Sequence, residues 1–234
     1  MRQNLLAITV SKQEKYLAEA LSSLRDELDI LVVDDATPGM REFCQERKLE
    51  LITKEKPKGL TDSWNKTFGY FRNKGYERCI LSNDDVRFAK GFSVGLFQGL
   101  KQFDVVGPLT NQPGHQPKQR LPQSLLTKVN PENADKIQEE LAKTYNNEPF
   151  EQLPYFNGFC FAFSKSIERF MFSDTLLFNP ENINIGQETD LCNQMRENGG
   201  KVGLCKISYL FHWKGRIIAA SLSETKRQQL WRIV

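Results

Sequence analysis

ILVVDDATP, residues 30–38, reads as a buried strand that delivers two adjacent carboxylates, Asp34 and Asp35, to its carboxyl end. Before it lie a short apolar strand, residues 5–10, and a helix in which Tyr16, Leu17, Ala20, Leu21, Leu24 and Leu28 recur at helical spacing. After it the alternation continues with a helix over 39–48, a strand over 49–53, and a helix from Thr61 that carries Trp64, Phe68 and Phe71 on one face. A fourth strand, 78–82, runs into Asn83, Asp84 and Asp85, and a fifth, 104–107, ends at Pro108. Strands alternating with helices predict an α/β domain, Rossmann-like, with a mostly parallel sheet flanked by helices and ligands beyond the carboxyl ends of the strands. Thr9, Val10 and Ser11, the Asp34–Asp35 pair and the 83–85 cluster are predicted to converge there.

The 110–154 stretch shifts to proline, glutamine, asparagine and lysine, with one helix expected from an Asn130 cap and Pro131 through Ile137 and Leu141. It reads as an insertion or lid on the acceptor side of a single domain covering 1–234. His115, within it, carries no functional expectation. Residues 155–164 read as a further strand containing Asn157 and Gly158, 186–198 as a helix closed by Gly199, 201–211 as a last strand, and 216–234 as a tail.

At 234 residues and 39% hydrophobic the chain can bury a full-sized core. Its net charge of +3 gives no reason to expect a nucleic-acid partner. Cys44, Cys79, Cys160, Cys192 and Cys205 are odd in number and form no C-x-x-C pair, against a disulfide framework or zinc knuckle and in favour of a reducing cytosol. The apolar run at the start is too short for a secretory signal, and no stretch approaches the ~20 apolar residues of a membrane span. A cytoplasmic protein, at most peripheral at a membrane, is expected.

Four constellations carry chemistry. Asp34 and Asp35 can accept hydrogen bonds from a nucleobase imide or a ribose hydroxyl, or can start a turn and cap the next helix. Asp84 and Asp85, adjacent in an apolar setting, repel each other unless a cation or donors compensate, and a hard divalent metal there would stabilise a diphosphate leaving group. In 186–195, Leu191, Cys192 and Met195 define an inward helix face with Glu188 near its centre and Asp190 turned away. That suits Glu188 to general-base work, with helix-dipole complementation as the plain alternative. His212 can complete a metal shell, and Lys214 or Arg216 can pair with phosphate.

In order and spacing these segments resemble family 2 glycosyltransferases of the GT-A fold, including rhamnosyl- and galactosyltransferase-like members, from about Leu5 to Arg216 apart from the insertion. The Val33-Asp34-Asp35 turn matches the family's nucleotide-contacting acids, and 59–65 resembles its donor-site segment, which implies Asn65 near the nucleotide. Ser82-Asn83-Asp84 occupies the slot of its D-x-D metal motif, with Ser82 in place of the first acid. Glu188 stands where an aspartate base is usual, with Asp190 as fallback. His212 with Gly215 matches an H-x-x-G element that closes over the diphosphate. The resemblance implies an inverting, Mn2+- or Mg2+-assisted hexosyl transfer from a nucleotide-diphosphate sugar, UDP-linked by preference, to a saccharide, lipid-linked glycan or protein acceptor. Asn83, Asn157 and Gly158 would line the donor and acceptor pocket. A catalytically inactive sugar-nucleotide or glycan-binding protein is the alternative. A signalling receiver domain is disfavoured because its acidic pair belongs on the first strand, and a nucleotidyltransferase because VSKQEKY has no glycine.

Overall fold

The computed structural model describes residues 3–11 and 13–213. Lys214 and Arg216 lie outside the described residues, as do Gly215 and the expected tail.

Among the described residues nine strands and seven α-helices follow one another: β1 (Asn4–Val10), α1 (Glu14–Ser23), β2 (Asp29–Asp34), α2 (Met40–Glu46), β3 (Glu50–Thr53), α3 (Leu60–Lys74), β4 (Arg78–Asn83), β5 (Val86–Phe88), α4 (Phe92–Gly99), β6 (Val105–Thr110), α5 (Gln123–Leu126), α6 (Ala134–Thr144), β7 (Phe150–Leu153), β8 (Cys160–Ser164), α7 (Gln187–Glu197) and β9 (Val202–His212). The strands form one sheet in the order β3-β2-β1-β4-β8-β6-β9-β5, with β7 also paired to β9. β1, β2, β3, β4, β6 and β9 run one way, and β5, β7 and β8 run against them. The mostly parallel α/β architecture expected from the sequence is the one observed.

Side chains alternate across a strand, so β1 feeds both faces of the sheet. Leu5 and Ala7 enter a core with Trp64, Phe68 and Phe71 of α3, Ile137 and Leu141 of α6, and Leu191 and Met195 of α7. Leu6, Ile8 and Val10 enter the opposite core with Leu17 and Ala20 of α1, Met40 and Phe43 of α2, and Phe92 and Leu96 of α4. Burial on both faces is why these strands read as continuous apolar runs.

Three expectations change. Helix α1 stops at Ser23 instead of reaching Leu28, because the chain turns at Leu24 and brings Asp26 to the start of α4, where it accepts from the Gly91 and Ser93 amides. The strand expected over 155–164 begins only at Cys160. Upstream of it, the Asn157 amide donates to the Gln119 side chain at 2.6 Å and not to a neighbouring strand. Helix α4 was not anticipated: GFSVGLFQGL is apolar nearly all round, so it shows no amphipathic period. The helix expected from the Asn130 cap is present as a 3-10 turn, Pro131–Asn133, closed by reciprocal Asn130–Asn133 bonds and leading into α6.

Candidate functional site

The carboxyl ends of β2, β1, β4, β6 and β9 and the amino end of β8 lie along one edge of the sheet, because β8 runs antiparallel to both β4 and β6. Thr9, Val10, Asp34, Asp35, Asn83, Asp84, Asp85, Asn157, Gly158 and His212 all sit at this edge.

At its β2 end the two acids are engaged within the protein. Asp34 accepts from the Thr37 amide at 2.9 and 3.2 Å and from Thr53 Oγ1 at 2.7 Å, so it closes the turn after β2. Asp35 accepts from Lys54 Nζ at 2.8 Å and from the Lys58 and Gly59 amides at 2.8 and 3.1 Å. Burial on its own would raise the Asp35 carboxyl, but the Lys54 hydrogen bond and charge, with the Lys58 and Gly59 amides, hold it below its ordinary value. Lys54 is itself buried and also meets Asp62 Oδ2 at 2.9 Å and Ser63 Oγ at 2.8 Å. Nothing in the sequence marked Lys54 beyond its place after β3. Val10 O accepts from the Asp35 amide at 2.9 Å, and Thr9 Oγ1 donates to Ser82 O at 3.2 Å and to Asn83 Oδ1 at 3.4 Å, which ties β1 to both acidic turns.

Asn65, expected near the nucleotide, is engaged within the protein. It is buried, with Oδ1 accepting from the Leu177 and Phe178 amides and Nδ2 donating to Phe178 O, so its amide holds the 177–178 turn.

At the centre of the edge Asp84 is fully buried and neither carboxylate oxygen has a hydrogen-bond partner; Asp85 is nearly as buried and its Oδ1 also lacks one. Burial, then the Asp85 charge, pushes the Asp84 carboxyl well above its ordinary range, against smaller lowering by the Asp84 and Ser11 backbone amides, neither of which completes a bond to it. Ser82, in the slot of an acid, is buried and turns its hydroxyl to Asn83 O at 3.0 Å.

His212 faces this pair, with Nε2 at 3.4 Å from Asp85 Oδ1. Its Nδ1 lies 2.9 Å from Gln112 O, and since a carbonyl only accepts, Nδ1 carries a proton and Nε2 is the ring nitrogen turned to the acids. Asn111 clamps the His212 main chain from both sides, accepting from its amide at 2.8 Å and donating to its carbonyl at 3.1 Å, and Phe159 stacks on its ring. Asn111 was not singled out from sequence; a polar Thr-Asn-Gln run at a strand end was its only signal.

Among the described residues no three His, Cys, Asp or Glu side chains gather as a ready-made metal cage. A hard divalent cation that takes much of its shell from substrate phosphates needs only one or two protein carboxylates. The oxygens of Asp84 and Asp85 that make no hydrogen bond, with His212 Nε2 beside them, fit that requirement.

The first turn of α7 meets the segment that leads into β8. Glu188 Oε1 lies 3.4 Å from the Gly158 amide, and its Oε2 is buried without a partner. Gly158 is needed here by close approach: a Cβ would come within 2.4 Å of Trp64 Cη2 and 3.4 Å of Glu188 Cδ. Asp190 turns towards the preceding loop, with Oδ2 at 3.4 Å from Asn182 Nδ2. That loop caps α3. The Leu60 amide donates to Asn184 Oδ1, the Thr61 amide to Ile183 O, and the Thr61 hydroxyl to Asn182 O. Gly59, at φ +87°, leaves no room for a Cβ under Ile183. Helices α3 and α7 are therefore joined through residues 182–184.

A family model described as Glycosyl transferase family 2 matches residues 6–172. Comparison with curated protein sequences gives no significant match. Among solved structures, GalNAc-T7 with UDP, GalNAc and Mn2+ aligns with a TM-score of 0.66 at 13% identity, over 90% of this chain and 44% of that one. S. aureus TarS 1–349 in complex with UDP-GlcNAc aligns at 0.53 and 14%, over 100% and 65%. The inositol-1-phosphate CTP transferase from T. maritima aligns at 0.53 and 13%, over 100% and 96%. The chain thus spans less than half of GalNAc-T7. Likeness at this identity shows a shared fold, here common to sugar and nucleotidyl transfer.

Proposed function

The chain belongs to glycosyl transferase family 2 and has the GT-A fold, and on that premise we propose that it moves a sugar from a nucleotide-diphosphate sugar, a UDP-sugar by preference, to an acceptor hydroxyl with inversion. The observation that carries this reading is Asp84, a fully buried carboxylate with both oxygens unpartnered, next to Asp85, which faces His212.

Each side chain then has a role. Glu188 takes the proton of the acceptor hydroxyl as its oxygen attacks the anomeric carbon; Asp190 is the fallback base. The bond from that carbon to the diphosphate breaks, and the nucleoside diphosphate leaves with the electron pair. Asp84, Asp85 and His212 would hold a divalent cation, Mn2+ or Mg2+, which supplies charge neutralisation at the leaving diphosphate. Lys214 and Arg216 would pair with the same phosphates. Asp35, with its carboxylate fixed by Lys54, together with Asp34, Thr9, Val10, Ser11 and Asn83, would border the nucleoside, while Asn65 braces the wall behind it. Asn157 and Gly158 would border the sugar, and the loops of the 110–154 stretch would set acceptor choice; its α6 and β7 are built into the core and the sheet, so the stretch as a whole is not the lid expected from sequence.

Five free, buried cysteines suit a reducing compartment, so we place the reaction in the cytoplasm. Among the described residues no helix is long and apolar enough to cross a membrane. A lipid-linked acceptor would be met at a membrane surface.

The test is thermal unfolding with UDP-, GDP- and dTDP-sugars, with and without Mn2+, followed by release of nucleoside diphosphate in the presence of candidate acceptors. Metal-dependent stabilisation by one nucleotide class is expected, with transfer reduced at least ~100-fold in Glu188→Gln. A folded protein stabilised by no donor would sink the donor-site reading. Stabilisation without transfer to any acceptor would leave a binding protein in its place.

A further inference from the structure

Beyond the acids, the same edge of the sheet carries an aromatic pair that no step above uses. His115 is exposed, and its ring stacks on Tyr155 with centroids 5.5 Å apart and planes inclined by 16°. The Tyr155 hydroxyl donates to His115 O at 3.1 Å, and Asn157 Nδ2 lies 2.9 Å from His115 Nδ1. An amide nitrogen only donates, so Nδ1 accepts and the ring proton sits on the outward-facing Nε2.

The loop that presents this pair is built in place. Gln116 and Gln119 are buried at 2% and 0% exposure. Gln116 Nε2 donates to Tyr155 O at 2.6 Å; Gln119 Nε2 donates to Pro108 O at 3.2 Å while its Oε1 accepts from the Asn157 amide. Two buried glutamines, an asparagine and a tyrosine thus hold the loop that carries this exposed imidazole, although ordering that many side chains costs rotamer entropy.

Position indicates what the platform meets. Asp35 follows β2, Asp84 follows β4, and His115 lies in the loop after β6, on the far side of β8 from both acids in the sheet order. Asn157 touches the His115 ring, and the next residue, Gly158, directs its amide at Glu188. Two consecutive residues thus link the His115 ring to the Glu188 carboxylate, which puts a ring stacked on His115 in the neighbourhood of the proposed base.

We propose that His115 and Tyr155 form the acceptor subsite and that the acceptor is a saccharide, bound with the C–H face of a pyranose ring on the His115 imidazole and a hydroxyl or ring oxygen on Nε2–H. The partial positive charge of axial C–H groups suits the negative face of an aromatic ring, and Nε2–H supplies direction. The inference rests on the transferase reading above, because it takes Glu188 as the base and the β2 end as the nucleotide side.

The test is saturation-transfer NMR of native protein, His115→Ala and His115→Phe with UDP, MgCl2 and a panel of methyl pyranosides of glucose, galactose, mannose, N-acetylglucosamine and rhamnose. At least one glycoside is expected to take saturation on its C–H face in native protein. Its affinity should fall about three- to tenfold in His115→Ala and return within about twofold in His115→Phe, in line with the range for aromatic contacts. The UDP signals should persist in all three proteins. No glycoside bound by native protein that does bind UDP, or equal glycoside binding in native and alanine forms, overturns the subsite. Loss of the uracil signals alone in His115→Ala assigns the platform to the donor base and also overturns it. Absence of UDP signals from native protein fails the transferase reading itself, a separate result.

Discussion

Asp84→Asn keeps the size of a fully buried side chain and removes its charge beside Asp85. Burial, and then the Asp85 charge, holds the Asp84 carboxyl well above its ordinary range, so the folded protein binds this proton more tightly than the unfolded chain does. The stability so gained is fully present below the unfolded value of about 4 and is lost as the pH rises towards and through the raised folded value. Within that window the metal-free native protein should lose up to about 1.4 kcal/mol per pH unit relative to Asp84→Asn. For a chain of this size that is about 3–5 °C of Tm per unit. Thermal unfolding of both proteins in EDTA from pH 4 to 9 reads the difference directly. In excess Mn2+ the native protein should reverse the trend and gain Tm with pH, because cation binding competes with the proton, while the variant shows little gain. A native-minus-variant difference that stays flat across the range without metal would refute the claim that Asp84 is an uncompensated buried acid. A full Mn2+ shift in Asp84→Asn would remove it from the cation site.

Gly158→Ala places a methyl 2.4 Å from Trp64, so overpacking should cost about 1–3 kcal/mol in urea unfolding and lower turnover more than donor binding as Glu188 is displaced. Lys54→Met leaves the Asp35 and Asp62 carboxylates without their shared ammonium and should destabilise by about 3 kcal/mol near neutral pH. Because the Asp35 value is lowered in the fold, that penalty is present above the ordinary carboxylate range and shrinks as the pH falls through the lowered value, which unfolding at pH 7 and pH 3 compares. Asn111→Ala frees the His212 amide and carbonyl together, for a loss of about 1–3 kcal/mol and a weaker Mn2+ shift by calorimetry.

What the sequence reveals here is what local periodicity and strand ends encode. The β-α alternation through α3, the acids after β2 and β4, and Glu188 on the inward side of α7 all follow from spacing within a dozen residues. What it conceals depends on distant partners. Asn65 looks like a pocket residue until Leu177 and Phe178, more than 110 positions on, take up its amide. Gln116 and Gln119 sit in a proline- and glutamine-rich run with the composition of a solvated loop, yet both are buried fasteners. The three-residue β5 and four-residue β7 are too short to show alternation and are strands only because β9 pairs with each.

The place of β8 between β4 and β6 has a consequence for biosynthesis. When residue 110 has been made, β1 to β4 and β6 all exist as sequence, but the strand that joins the two groups is residues 160–164. Until then β4 has one bare edge and β6 has two, since its other neighbour β9 is later still, and such edges, apolar on both faces, are of the kind that templates pairing with another chain. The ribosome supplies the missing strand about 50 residues later, a matter of seconds at ordinary elongation rates. Any nascent or truncated chain ending before residue 164 carries that open slot, and its fate is set by how quickly a chaperone covers it.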